Sequence, residues 1–123
     1  MNLRKRSVLL VDYNAILRKS LRTLFDAAGF ICSEAKDGAE ALDEAAKLKP
    51  DLIVLDYSMP VMNGLQAAPL LKKILPDTPI LMFTMFANPQ FAELALAAGV
   101  RAVCSKDQAG FLLGKAEPVL NSE

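Results

Sequence analysis

This sequence predicts an α/β fold, a doubly wound parallel sheet of five strands built as (βα)5. Three observations carry that expectation. Short unbroken apolar runs, the mark of strands buried on both faces, stop abruptly at polar residues. Val8, Leu9, Leu10 and Val11 precede Asp12; Leu52, Ile53, Val54 and Leu55 precede Asp56; Ile80, Leu81, Met82 and Phe83 precede Thr84. Segments of helical apolar period lie between the runs. The connections are short, so strand and helix alternate and helices cover both faces of a parallel sheet.

Residues 7–12 form the first strand. Asn14 is the N-cap of a helix running to about Ala28, with Ile16, Leu17, Leu21, Leu24 and Phe25 on one face. Gly29 closes that helix. Residues 30–35 are a short second strand. Asp37 and Glu40 have capping-box spacing and open a second helix through about Lys47, whose face carries Ala41, Leu42, Ala45 and Leu48. The central strand leads through Pro60 into a third helix from about Asn63 to Leu75. Pro79 starts the fourth strand, where no ladder donor is yet required. Asn88 and Pro89 read as an N-cap and a proline at the first helical position of a fourth helix, which ends at Gly99. The fifth strand spans 100–104. A last helix begins near Asp107, against the opposition of Gly110, Gly114 and Pro118.

The 123 residues fit one domain, 1–123, with residues 1–6 as an N-terminal arm. A 53% hydrophobic content supplies a core, and fourteen basic residues cancel fourteen acidic ones. No net field draws the domain to nucleic acid or to an anionic membrane, and Arg4, Lys5 and Arg6 read as a solvated arm. The apolar runs fall short of a membrane span and of a signal sequence, so a cytoplasmic protein is expected. Cys32 and Cys104 have neither the number nor the spacing of a zinc site or a disulfide framework, and read as buried free thiols. Histidine is absent, which excludes a Ser-His-Asp triad and histidine metal ligation.

If the strands are parallel, their carboxyl ends bring Asp12, Asp56, Thr84 and Lys106 to one edge, the edge where open α/β sheets bind ligands. A single strand-end aspartate is usually a cap, and a single lysine is usually a solvated surface residue. Four polar residues converging on one edge are not explained that way.

In order and spacing, these residues resemble the receiver domains of two-component response regulators. The resemblance rests on Leu9-Leu10-Val11-Asp12, on Asp37-Gly38-Ala39-Glu40-Ala41-Leu42, and on Pro50-Asp51-Leu52-Ile53-Val54-Leu55-Asp56. Met59-Pro60, Met62-Asn63-Gly64-Leu65, Thr84 and Lys106 complete it. It implies a flavodoxin-like fold with strand order 2-1-3-4-5, which puts the two cysteines on opposite edges. It also implies a signalling domain rather than an enzyme. Asp56 would accept the phosphoryl group, Lys106 would supply an ammonium, and Thr84 a phosphoryl-sensing hydroxyl. Asp12, Asp56 and the backbone carbonyl of Ser58 would hold Mg2+. The implied donor is a histidine kinase or phosphotransfer protein, because this chain has no histidine of its own.

Three positions depart from the family pattern. Tyr13 stands where a second acidic residue usually serves as a direct metal ligand, so Mg2+ should bind weakly. Val103 replaces an aromatic that couples to the threonine. Met85 follows Thr84 where a small residue is usual, so access to Asp56 is expected to narrow. In addition, Asp107 replaces the proline often found after the lysine. The leading expectation is a phosphoacceptor receiver that switches an output surface, with the face of helix 4, strand 5 and helix 5 as a candidate dimer surface. The alternative, favoured by Tyr13 and Val103, is a pseudo-receiver that binds protein partners without phosphorylation. A flavodoxin-type cofactor binder ranks third, since the loop after the first strand lacks the composition of a phosphate cradle.

Overall fold

A computed structural model describes residues 5–121. Five parallel strands, β1 (Ser7–Val11), β2 (Ile31–Ala35), β3 (Leu52–Asp56), β4 (Ile80–Thr84) and β5 (Ala102–Ser105), form one sheet in the order β2-β1-β3-β4-β5. The helices between them are α1 (Ala15–Ala27), α2 (Gly38–Leu48), α3 (Gly64–Ile74), α4 (Pro89–Ala97) and α5 (Leu112–Asn121). The last is preceded by a 3-10 turn, Lys106–Phe111. Every residue of β3 and β4 is buried, as expected for the central strands of a sheet covered on both sides.

Alternation along the strands divides the core in two. Leu9, Val11, Ile53, Leu55, Ile80 and Met82 face α2, α3 and α4, where Ala41, Ala45, Ala67, Ala68, Leu71 and Ala95 let the helices lie close. Val8, Leu10, Leu52, Val54, Leu81 and Phe83 face α1 and α5, against Leu21, Phe25, Leu112 and Ala116. The register pairs Val11 with Ala35 and with Leu55, and Asp56 with Phe83, so the strand ends at the functional edge are level.

The helix ends follow their caps. Asn14 accepts from the Ile16 and Leu17 N–H groups, Asn88 from Phe91 N–H, and Asn63 forms a full capping box with Gln66. At α2 the expected box closes differently. Asp37 accepts from Glu40 N–H, but the Glu40 carboxylate reaches back to Lys36 N–H at 2.9 Å. Gly29 and Gly99 take the left-handed conformation just past α1 and α4.

Several expectations need correction. Ile16 is 81% exposed and Leu48 50% exposed, because both lie at helix ends beyond the sheet's cover. The fifth strand starts at Ala102 rather than at residue 100, and Val100 is buried ahead of it. Pro79 lies just before β4, where its carbonyl accepts from Ile53 N–H. Gly114 and Pro118 do not prevent α5, since burial of Leu112, Ala116 and Val119 outweighs their poor propensity. Of the expected N-terminal arm, residues 1–4 lie outside the described residues. Arg6 is not a free arm residue: it bonds Asn121 at 2.8 Å and Glu117 at 3.3 Å, tying the chain start to α5.

The loop after β3 is the most tightly constrained. Gly64 sits where a Cβ would fall 2.5 Å from the Asp56 carbonyl oxygen, so only glycine lets the chain fold back on the strand end. Met62 N–H bonds the Pro60 carbonyl at 2.7 Å across Val61, whose φ is 69°. That is a γ-turn of the strained hand, centred on a fully exposed β-branched residue. Strain of this kind costs about 1–3 kcal/mol, and glycine's extra unfolded-state freedom returns up to about 1 kcal/mol. Val61→Gly should therefore raise stability by about 1 kcal/mol, or Tm by about 4 °C. A thermal melt with unchanged or lower Tm would show that the turn is not strained.

Candidate functional site

Asp12 follows β1 and Asp56 ends β3, which are neighbours in the sheet. Thr84 ends β4, and Lys106 follows β5. The structure brings these four sequence-predicted residues to one edge. Asp56 is buried rather than solvated at the strand end, at 3% exposed, and Asp12 and Thr84 are each 1% exposed. Lys106 Nζ stands 3.0 Å from Asp12 Oδ2 and 2.9 Å from Asp56 Oδ1, and 6.0 Å from the centre of the Phe83 ring.

The Asp12 carboxylate is held on one side only. Its Oδ1 accepts from Asn14 N–H at 2.9 Å, whereas buried Oδ2 receives no aligned hydrogen bond and meets Lys106 as a bare ion pair. Asp56 Oδ1 also accepts from Ser58 N–H at 3.3 Å. Burial pushes the Asp56 carboxyl above its ordinary value and the Asp12 charge pushes the same way, against the bond to Lys106. Burial opposes the charge on Lys106, but the bond to Asp56 and the charges of Asp12 and Asp56 outweigh it and raise its pKa. The edge thus holds a permanent ammonium and a carboxylate that is harder than usual to ionise.

Thr84 Oγ1 accepts from Phe86 N–H at 3.1 Å, which folds the start of the β4–α4 loop onto it. Phe86 packs edge-on to Tyr57, the residue after Asp56, with ring centres 5.7 Å apart, and Tyr57 packs edge-on to Phe91 at 5.1 Å. Val103 is half-buried against the α2–α3–α4 side of the core. Tyr13 is 58% exposed and Met85 67% exposed, so both stand mainly in solvent. Asp107 accepts from the Ser105 hydroxyl at the start of the 3-10 turn. Cys32 and Cys104 are buried free thiols on the opposite edge strands β2 and β5. Burial lifts the Cys32 thiol to about 11 and raises that of Cys104 as well.

A family model for the response regulator receiver domain matches residues 8–115. The chain belongs to that family. Relatives and solved structures agree with the match. Chemotaxis protein CheY of Thermotoga maritima is 33% identical over 97 residues, which is 78% of this chain and 81% of that protein. The receiver domain of Thermotoga maritima CheB superposes with a TM-score of 0.89 at 30% identity, covering 98% of this chain and 99% of the other. Chemotaxis protein CheY4 of Vibrio cholerae superposes equally well, with a TM-score of 0.89, 30% identity, and 94% and 99% coverage.

Longer relatives match only in part. The receiver chain spans 48% of the Bacillus subtilis transcriptional regulatory protein YhcZ, at 36% identity over 102 residues, or 81% of this chain. It spans 28% of a Maricaulis maris protein-glutamate methylesterase, at 40% identity over 115 residues, or 89% of this chain. Receivers are signalling domains that interact with histidine kinases or phosphotransfer proteins. They generally bind Mg2+ at the acidic phosphorylation site. Among the described residues, no helix is long and apolar enough to cross a membrane.

The buried oxygens at this edge suit Mg2+. Among the described residues no cluster of three or more Asp, Glu, His or Cys could hold a metal. Mg2+ is commonly bound through one or two carboxylates while keeping several waters, and the unbonded Asp12 Oδ2 offers a buried charged oxygen for that. Two polar residues at this edge carry no motif. Arg18 Nε donates to Glu34 Oε1 at 2.8 Å, and Arg18 Nη1 donates to the Asp12 carbonyl at 2.8 Å. Their only signals in the sequence are a glutamate inside a strand and arginines four apart, Arg18 and Arg22, on the helix facing it.

Proposed function

We propose that this receiver accepts a phosphoryl group on Asp56 from a phosphohistidine of a partner kinase or phosphotransfer protein. The observation that carries this reading is Lys106 Nζ held between Asp56 and Asp12 at a buried strand edge. An Asp56 carboxylate oxygen attacks phosphorus, the P–N bond to the partner's imidazole breaks, and an acyl phosphate forms. A carboxylate is a weak nucleophile, so the site's contribution is positioning and charge neutralisation. The Lys106 ammonium balances charge on the phosphoryl oxygens. Asp12, Asp56 and the Ser58 carbonyl would hold Mg2+, which when bound neutralises further charge on those oxygens. Incubation with acetyl phosphate and Mg2+ should add one phosphoryl mass to the intact protein. An unchanged mass would favour a pseudo-receiver, the reading that Tyr13 and Val103 support.

Output belongs to the β4–α4 loop in this reading. When the Thr84 hydroxyl turns to a phosphoryl oxygen, it draws away from Phe86 N–H and loosens Phe86 from Tyr57. Val103 offers no ring to follow the threonine, so the change leaves through Phe86 and α4 rather than through β5. Beryllofluoride, a phosphoryl mimic, should shift the amides of Met85, Phe86 and Ala87. Shifts confined to the loop after Asp56 would count against this output route.

A further inference from the structure

We propose that Arg18, braced by Glu34, is a positioning residue that aims the Asp12 carboxylate at the metal; the inference rests on reading this edge as a Mg2+-dependent phosphoacceptor site. Asp12 lies one residue beyond β1, where the sheet ladder no longer holds both sides of the backbone. Its N–H still bonds the Ala35 carbonyl at 3.1 Å. Its own carbonyl is taken by Arg18 Nη1 at 2.8 Å, and its Oδ1 by Asn14 N–H at 2.9 Å. Backbone donor, backbone acceptor and one carboxylate oxygen are therefore fixed, which leaves Oδ2 as the oxygen turned inward to Lys106.

Arg18 can do this because it is not a loose surface side chain. It is 18% exposed, and its Nε is seated on Glu34 Oε1 across the gap from α1 to β2. The second Glu34 oxygen is held at 2.8 Å by Arg22, whose other nitrogen bonds the Cys32 carbonyl at 3.0 Å. Burial disfavours the Glu34 charge, yet the bonds from Arg22 and Arg18 outweigh it and hold the carboxyl below its ordinary value. Arg22 thus shares Glu34 but does not touch Asp12. With Tyr13 in place of a further carboxylate, the orientation of Asp12 decides more of the metal affinity than it would in a three-carboxylate site.

Partners that orient a metal ligand typically change affinity about 10- to 100-fold when removed. Mg2+ titrations by calorimetry of Arg18→Gln, Arg18→Lys, Glu34→Gln and Arg22→Gln test the assignment. They are run in the natural sequence and in the Tyr13→Asp background, where binding should be tighter. Arg18→Gln should weaken Mg2+ about tenfold, and Arg18→Lys should recover part of the loss. Glu34→Gln should weaken it less, and not additively with Arg18→Gln. Arg22→Gln should lose stability in a thermal melt but leave Mg2+ affinity within about twofold, because a merely structural network would treat both arginines alike. Equal Mg2+ affinities for Arg18→Gln and Arg22→Gln would overturn the proposal. If neither background binds Mg2+, the phosphoacceptor reading itself falls. The Asp12 carbonyl 13C shift of the metal-free protein then decides positioning separately: it should move in Arg18→Gln and stay put in Arg22→Gln, and equal shifts would sink it.

Discussion

Asp56→Asn should abolish phosphoryl uptake from acetyl phosphate, not merely slow it, because the amide offers no anionic oxygen to attack phosphorus. Folding is not expected to suffer. Burial and the nearby Asp12 charge both work against ionised Asp56, and Lys106 keeps Asp12 as its partner after the change. A carboxyl whose pKa is raised in the folded state binds its proton more tightly there than in the unfolded chain. Its contribution to stability is therefore greatest at low pH and declines as pH rises from the unfolded value of 3.8 through the raised folded value. The neutral Asn variant escapes that decline, so at pH 7 it should melt no lower than the natural protein. The same shift sets a pH dependence for labelling, which requires the carboxylate and should fail on acidification at a higher pH than an exposed aspartate would dictate. Intact mass and thermal melts from pH 4 to 8 check all three points. Residual labelling of a folded Asn variant would remove Asp56 from the role proposed for it.

Tyr13→Asp should tighten Mg2+ about ten- to a hundredfold and speed labelling. Tyr13 follows Asp12 directly and is 58% exposed, so a carboxylate there can reach the edge without disturbing the core. A phenol with an ordinary pKa near 10 is neutral at pH 7 and adds no charge. Two unit charges 4 Å apart gain about 1 kcal/mol in water and about 4 kcal/mol near a protein surface, and Mg2+ doubles either figure. After the ligand's desolvation is subtracted, about 1.4–2.8 kcal/mol of net gain corresponds to the stated range. Without metal, the third carboxylate should lower stability, since among the described residues only Lys106 pairs with Asp12 and Asp56 to offset the repulsion. Calorimetric titration of both forms with Mg2+, with melts in metal-free buffer, decides the matter. Equal affinities would mean that position 13 does not face the metal.

What could be read from residues alone was governed by local pattern. Apolar runs that ended at Asp12, Asp56 and Thr84 located three strands, because a strand buried on both faces must be apolar throughout. Asn14, Asn88, Gly29 and Gly99 marked helix ends, because capping and positive φ are properties of a residue and its immediate neighbours. The order 2-1-3-4-5 came through family resemblance, whereas the meeting of Lys106 with the aspartates followed from parallel strands ending at one edge.

Other features depended on segments far apart in the chain. Whether Ile16 and Leu48 face a core depends on where the sheet ends, which helical period does not encode. The helix over Leu112–Asn121 forms against its own glycine and proline because the sheet face it covers repays the local cost. The burial of Asp56 and the one-sided hold on Asp12 arise only when four strand ends lie level. The bracing of Arg18 by Glu34 needs α1 laid across β2. Local residue pattern set the strands, the caps and the chemistry available at one edge. Packing of the folded chain set how deeply those groups are buried and which atoms they touch, because hydrogen bonds and ion pairs depend on distances of a few ångströms between segments that the chain order leaves free.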